Sequence, residues 1–153
     1  MVFDDPIQRN AGLELYKKPE KGRTYALVAD VARGTEQDYS AFLVFDVSEL
    51  PYRIVAKYRN NEIKPLLFPN VIHDVAKAFN SAYVMIEVND IGEQVASAMQ
   101  YDLEYDNLIM ASMRGRAGQV LGSGFSGGKV QLGVRTTKAC LLYTSPSPRD
   151  KRL

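Results

Sequence analysis

Long apolar runs are missing from this sequence of 153 residues, and none approaches the roughly 20 residues that a membrane-spanning helix needs. The first residues are polar and lack the apolar stretch of a secretion signal. Net charge is also nearly absent, at +1, so composition alone does not indicate a nucleic-acid partner. With 46% hydrophobic and 24% charged residues, the chain has the composition of one globular domain with a core.

Cysteine is almost absent too, and the single one, Cys140, opens a segment with neither helical nor strand periodicity. One choice of codons for residues 140–150 resembles a transposase adaptor used in sequencing libraries. We therefore expect residues 140–153 to be a non-native tail, a sequencing-adaptor artefact, with the natural sequence ending near Ala139. The alternative is a natural disordered tail rich in serine and proline. If the tail is an artefact, its cysteine says nothing about the redox compartment.

Two short apolar runs organise the rest of the chain, and each carries an acid at or near its end. The run from Tyr25 to Ala29 ends at Asp30, and the run from Tyr83 to Val88 contains Glu87. Four to six such residues, rich in β-branched and aromatic side chains, indicate buried strands. If the two strands are neighbours, the acids converge, and a divalent cation is the simplest group to neutralise them. Either acid alone could instead lie at a strand end in solvent.

The order of elements predicts an α/β fold. The predicted elements are strands at 24–32, 39–47 and 52–59, a helix at 65–79, a strand at 83–88, a helix capped at Asn89–Asp90, and a strand at 107–111. The first three strands form an antiparallel meander. Because a helix separates this meander from the fourth strand, the fourth strand is expected to run parallel to the first. Residues 1–23 are polar and predict a linker leading into the domain, with a short edge strand possible at 13–16.

This arrangement, a mixed five-stranded sheet with an antiparallel meander, parallel strands and flanking helices, is that of the ribonuclease H-like fold. Acids after its first and fourth strands hold divalent metals against a scissile phosphate. Carboxylate oxygens suit Mg²⁺ or Mn²⁺. Two carboxylates are too few for a pair of ions, and Asp38 is the best third candidate in this sequence. Asp38 could equally be a turn-forming residue bonded to its own backbone.

The segment from Ser112 to Ala139 contains five basic residues and no acid, and it is rich in glycine. So much glycine predicts a flexible loop, or a hairpin in close contact with a ligand. The basic residues are Arg114, Arg116, Lys129, Arg135 and Lys138.

Two stretches, YALVADVARGTEQDYSAFLVFDV and VMIEVNDIGEQVASAMQYDLEYDNLI, resemble the nuclease domain of the large terminase subunit of tailed phages. The resemblance covers about residues 13–139. Its most specific parts are an Asp–Gly–Asp–Tyr pattern and a Glu–Asn–Gly pattern, at Asp30, Gly34, Asp38, Tyr39, Glu87, Asn89 and Gly92. By this resemblance Asp30 and Glu87 match two of the three catalytic acids of the family. Asp38 matches a further acid that lies beside them. The third acid lies in a Gly-His-Asp-Asp-like motif on a later helix, which this sequence lacks.

The resemblance implies a metal-dependent endonuclease domain, with Asp30 and Glu87 as metal ligands and Mg²⁺ or Mn²⁺ as cofactor. It would cut concatemeric double-stranded DNA during genome packaging in the host cytoplasm. In the full-length protein the implied partners are the portal and the small terminase subunit. The resemblance implies no contact with a membrane. The five basic residues would contact phosphates without reading bases, unless they form only a solvated loop. No GxxxxGK[ST] loop occurs in this sequence, so we do not expect these residues to include the packaging ATPase of the family.

The same residues allow two other functions. The first is a DNA-binding or docking module of the same fold that does not cleave in this truncated form, because the third carboxylate is missing. The second is an actin-like ATPase, which shares the sheet. Its first loop usually has glycine two residues after the aspartate, whereas Val31 and Ala32 follow Asp30 here, so this function is disfavoured.

Overall fold

A computed structural model describes residues 5–32, 38–87, 91–113, 119–122 and 130–134. Nine strands and two helices occur in these ranges. In chain order they are β1 (Gln8–Asn10), β2 (Leu13–Leu15), β3 (Tyr25–Asp30), β4 (Ser40–Asp46), β5 (Arg53–Asn60), α1 (Phe68–Ala78), β6 (Tyr83–Ile86), α2 (Gly92–Ser97), β7 (Met110–Met113), β8 (Gln119–Gly122) and β9 (Val130–Leu132). A π-helical turn at Ala98–Asp102 continues α2. No helix in the described ranges is long and apolar enough to span a membrane.

The main sheet has six strands in the order β1-β2-β5-β4-β3-β6. Strands β3, β4 and β5 form the predicted antiparallel meander. Helix α1 then carries the chain across one face, so that β6 returns parallel to β3, with Ala26 opposite Tyr83 and Ala29 opposite Ile86. The mixed ribonuclease H-like sheet predicted from the sequence is therefore confirmed, with six strands where five are predicted.

The additional strands come from residues that the sequence predicts to be a linker. Strand β2 pairs with β5, as expected for an edge strand near residue 13, and β1 folds back on β2. The turn between them uses Ala11 and Gly12, both with positive φ. Gly12 is required there for a second reason, because a Cβ on it would lie 2.6 Å from the carbonyl oxygen of Arg59. Residues 8–15 are therefore part of the sheet.

The strand predicted at 107–111 is divided between two sheets. Leu108 forms a single parallel bridge to Val84, with the Ile109 N–H donating to the Val84 carbonyl at 2.8 Å. The following residues form β7, which lies between β8 and β9 in a separate three-stranded sheet. The glycine-rich segment thus contains two strands in the part that the structure describes.

The hydrophobic core lies between one face of the main sheet and the two helices. Strand alternation selects that face, because every second residue of β3 and β4 is buried. The aromatic rings of Phe42, Tyr58 and Phe68 stack at its centre, with centroids 5.0–6.1 Å apart. Each such side chain contributes about 2 kcal/mol by burial. The other core residues of the sheet and helices include Tyr25, Leu27, Val44, Ile72, Ala76, Val84, Ile86, Val95 and Met99.

The opposite face of the main sheet, which we call the open face, is less covered. Val28 on β3 is 41% exposed, and Leu43, Phe45 and Met85 also point to this side. A groove of about 570 Å³ runs over these residues to the ends of β3 and β6. The open face is therefore the side of the sheet on which a ligand has access to the strand ends.

A partly buried ion pair lies at the end of the meander away from Asp30. The Arg23 Nε lies 2.6 Å from an oxygen of Asp46, whose side chain is 5% exposed, and Arg23 also reaches Glu49. Burial alone would raise the pKa of Asp46. Hydrogen bonds from Ser48 and the ion pair with Arg23 outweigh burial and hold that pKa below its usual value.

We expect Asp46→Asn to lower the free energy of unfolding by about 2 kcal/mol at neutral pH, because it weakens charge-assisted hydrogen bonds at a buried site. The lowered pKa means that Asp46 stabilises the fold above about pH 4 and loses that contribution as the pH falls through its folded pKa. The difference between parent and variant in urea unfolding should therefore vanish in acid. Glu49→Gln is the control, since this exposed partner of Arg23 should change stability little; an equal loss in both variants would contradict the role of Asp46.

Candidate metal centre at the ends of strands β3 and β6

The parallel pairing of β3 with β6 brings two predicted acids side by side. Ala29 lies opposite Ile86, and the Glu87 N–H donates to the Ala29 carbonyl at 2.9 Å. Asp30 and Glu87 therefore hold the next positions of the same parallel pair, and their side chains point to the open face. Both residues line its groove. The convergence predicted from the two strand ends is present in the structure.

The electrostatics of Asp30 reflect these neighbours. Partial burial raises the pKa of the Asp30 carboxyl, and the nearby carboxylate of Glu87 raises it further. A hydrogen bond from the Val31 backbone acts in the opposite direction, and Asp38 adds a smaller upward effect. Asp38 itself is exposed. The negative charges of Glu87 and Asp38 thus both disfavour the ionised form of Asp30.

A serine that the sequence analysis does not single out fixes the backbone after Asp30. Ser40 is 1% exposed, and its Oγ accepts a hydrogen bond from the Ala32 N–H at 3.1 Å. This contact joins the start of β4 to the chain that leaves β3. Because Ala41 pairs with Asp30, the serine lies one residue from the acid's cross-strand partner. Its only sequence signal is its place at the start of an alternating strand.

Glycine is required at position 92 because helix α2 begins against the backbone of Glu87. A Cβ on Gly92 would lie 1.9 Å from the Glu87 carbonyl oxygen and 2.9 Å from its carbonyl carbon. The contact is between main-chain atoms, so no rotamer change can relieve it. This gives a physical reason for the glycine of the Glu–Asn–Gly pattern: it lets α2 start directly beside the acid.

The donor set consists of carboxylate oxygens, which fits a hard divalent cation such as Mg²⁺ or Mn²⁺. Asp30 and Glu87 would hold it, with Asp38 nearby. In the described ranges, no group of three or more His, Cys, Asp or Glu side chains is placed to hold a metal ion by itself. Water or substrate oxygens would therefore have to supply the remaining ligands.

The predicted DNA-contacting residues Arg114, Arg116, Lys129, Arg135 and Lys138 lie outside the described residues, as does Asn89. The glycine-rich segment nevertheless reaches the site at one described point. The Val134 N–H donates to the Ile86 carbonyl at 2.9 Å, and Val134 bridges to Glu87 and lines the groove.

We expect Gly92→Ala to destabilise the fold by about 2 kcal/mol or more, because the new methyl group forces α2 and the Glu87 backbone apart. Thermal and urea unfolding of the purified variant would measure the loss. Gly22→Ala is the control: no atom lies within 4 Å of its added Cβ, so only the strain of its positive φ remains, about 1 kcal/mol. A Gly92→Ala variant as stable as the parent would show that α2 can move away from Glu87 without cost.

Comparison with known proteins agrees with this architecture. Residues 27–138, more than half of the chain, match the family model of the terminase RNaseH-like domain. Two similar solved structures are the large terminase nuclease from thermophilic phage G20c with bound cobalt and with bound zinc, at TM-scores of 0.56 and 0.55 and 20% identity. Each match covers 65% of this chain and 50% or 55% of the other, so the chain spans about half the length of those structures. The chain belongs to the terminase RNaseH-like domain family.

Proposed function

We propose that this chain is the metal-dependent nuclease domain of a phage terminase large subunit, which cuts concatemeric double-stranded DNA during genome packaging. The observation that carries the proposal is the placement of Asp30 and Glu87 at adjacent positions of a parallel strand pair, facing an open groove. Family membership supports the reaction class. The similar phage nuclease structures with bound cobalt and zinc support a divalent cation.

In the proposed mechanism the two acids act as fixed anionic ligands. Their backbones are held by β3–β6 pairing, by Ser40 behind Asp30 and by Gly92 behind Glu87, so the carboxylates are positioned before any ligand arrives. When bound, a divalent ion would lower the pKa of a coordinated water and stabilise charge on the phosphate. Partial burial and the charge of Glu87 both raise the pKa of Asp30, and a bound cation would offset both effects.

A second function is favoured by one observation. No three acids in the described ranges form a metal site on their own, so the 153-residue chain could bind DNA and metal without efficient cleavage. We propose that cleavage needs the further acid that the family resemblance places on a later helix. By the same resemblance the full-length protein would work in the host cytoplasm, with the portal and the small terminase subunit as partners.

Isothermal titration of Mg²⁺ and of Mn²⁺ should give heat with the parent and none with Asp30→Asn or Glu87→Gln, because each variant removes one of the two carboxylates that converge. Asp74→Asn is the matched control, since this acid is highly exposed on α1 and distant in sequence from the site. It should bind metal like the parent. A folded parent that gives no heat, or variants that titrate unchanged, would overturn the assignment of the metal ligands.

The metal-free melting temperature checks that the variants fold. Asp30→Asn should melt higher than the parent in the presence of a chelator, because it removes a partly buried negative charge that lies beside Glu87. With Mg²⁺ added, the parent should gain stability and the variant should not, since only a ligand that binds the folded state stabilises it. Together the two melting temperatures distinguish a variant that has lost the metal site from one whose fold is damaged.

Cleavage is tested on supercoiled plasmid with Mn²⁺ or Mg²⁺. We expect the 153-residue chain to bind the plasmid but to nick it weakly or not at all. A longer chain that adds the third acid should cut, and its activity should disappear with Asp30→Asn or with a chelator. Robust cutting by the 153-residue chain, lost in Asp30→Asn, would confirm the nuclease while contradicting the need for the additional acid. A longer chain that binds metal and DNA but never cuts would favour the docking function.

A further inference from the structure

Arg59 lies in the same transverse row of the sheet as the two acids. Asp30 pairs with Ala41 on β4, and Ala41 pairs with Arg59 on β5. Glu87, Asp30, Ala41 and Arg59 therefore follow one another across four adjacent strands, all on the open face. With strands about 4.8 Å apart, the Cα of Arg59 is roughly 10 Å from that of Asp30. The small side chain of Ala41 leaves the space between them clear.

The guanidinium of Arg59 is held against an aromatic ring. Its central carbon lies 3.6 Å from the centroid of the Tyr39 ring, which is itself 41% exposed. Tyr39 directly follows Asp38, so the ring and the Asp38 carboxylate leave the backbone at adjacent positions. A cation–π contact fixes the guanidinium plane while its N–H groups stay available. In the described ranges no carboxylate forms an ion pair with Arg59.

Arg59 also lies where two grooves meet. It lines the groove of the open face together with Asp30 and Glu87, and it lines a second groove of about 410 Å³ beside the β1–β2 hairpin. Arg9 and Lys57 line this second groove as well. Both of these cations contact Glu14, at 3.6 and 2.8 Å, and this single carboxylate balances only one of the two positive charges. Positive charge thus continues from Arg59 away from the acids.

We propose that Arg59, oriented by Tyr39, binds a DNA backbone phosphate beside the one held at Asp30 and Glu87. The inference rests on the proposed function and adds a substrate contact to it. A DNA strand carries one phosphate for every 3.4 Å or so of helix axis, so a strand bound at the acids has further phosphates within reach of Arg59. A guanidinium can hold a phosphate through two parallel hydrogen bonds. The contact sets the position of the strand and reads no base. Tyr39 acts through Arg59 and is a positioning residue.

The test measures binding of a short fluorescein-labelled duplex by anisotropy, using the 153-residue chain with Ca²⁺, which takes the same oxygen ligands as Mg²⁺. Arg59→Ala should weaken binding roughly tenfold at low salt. It should also lower the slope of log Kd against log salt concentration by about one, the value for one lost phosphate contact. The matched control is Arg53→Ala, which removes the same charge from an exposed position on the same strand, about 20 Å away. It should keep the parent's slope.

Two further variants separate a phosphate contact from a change in fold or net charge. Arg59→Lys should retain most of the salt slope, because the charge remains. Tyr39→Leu should weaken binding less than Arg59→Ala, and it should add nothing when combined with it, since the ring acts through the guanidinium. Equal losses in Arg59→Ala and Arg53→Ala, or an unchanged salt slope in Arg59→Ala, would overturn the Arg59 proposal while leaving the nuclease intact. A parent that binds no duplex in Ca²⁺ although it titrates with metal would overturn DNA as the substrate, and Arg59's role with it.

Discussion

The parallel pairing of β3 with β6 is the constraint on which the rest of the site depends, because it holds two carboxylates at neighbouring positions. Partial burial and the like charge of Glu87 both raise the pKa of Asp30, so keeping the two carboxylates ionised has a cost. The protein offsets it on the other face of the same strands, where Leu27, Val84 and Ile86 are fully buried against the helices. The strands that carry the two acids are thus held in the core by residues adjacent to those acids in sequence.

Strand alternation separates these two roles. Along β3 and β4, one set of side chains enters the core and the other set faces the groove, so each strand both packs the core and lines the groove. A shift of one residue in the pairing of β3 would bury Asp30 among aromatic rings and expose Leu27 and Ala29. The register between β3 and β6 therefore has to be specified strongly. The crossover through α1, whose apolar side packs on the sheet, supplies much of that specification.

Sequence reasoning could predict the meander, the parallel return of β6 and the convergence of Asp30 with Glu87, because long apolar runs and a crossover helix leave few alternatives. It could not predict β1, whose three exposed residues carry no hydrophobic signal of their own and are ordered by pairing with β2. Arg59 could not be singled out either. Its relation to the acids exists only through the pairing register of four strands, and in the sequence it is one basic residue among several.

The start of α2 at Gly92 has a mechanical consequence. Between the Glu87 carbonyl and the helix there is no side chain that could change rotamer and absorb a displacement. A displacement of the start of α2 towards the sheet would therefore press directly on the Glu87 backbone. The spacing of the two acids is thus tied to the position of a surface helix.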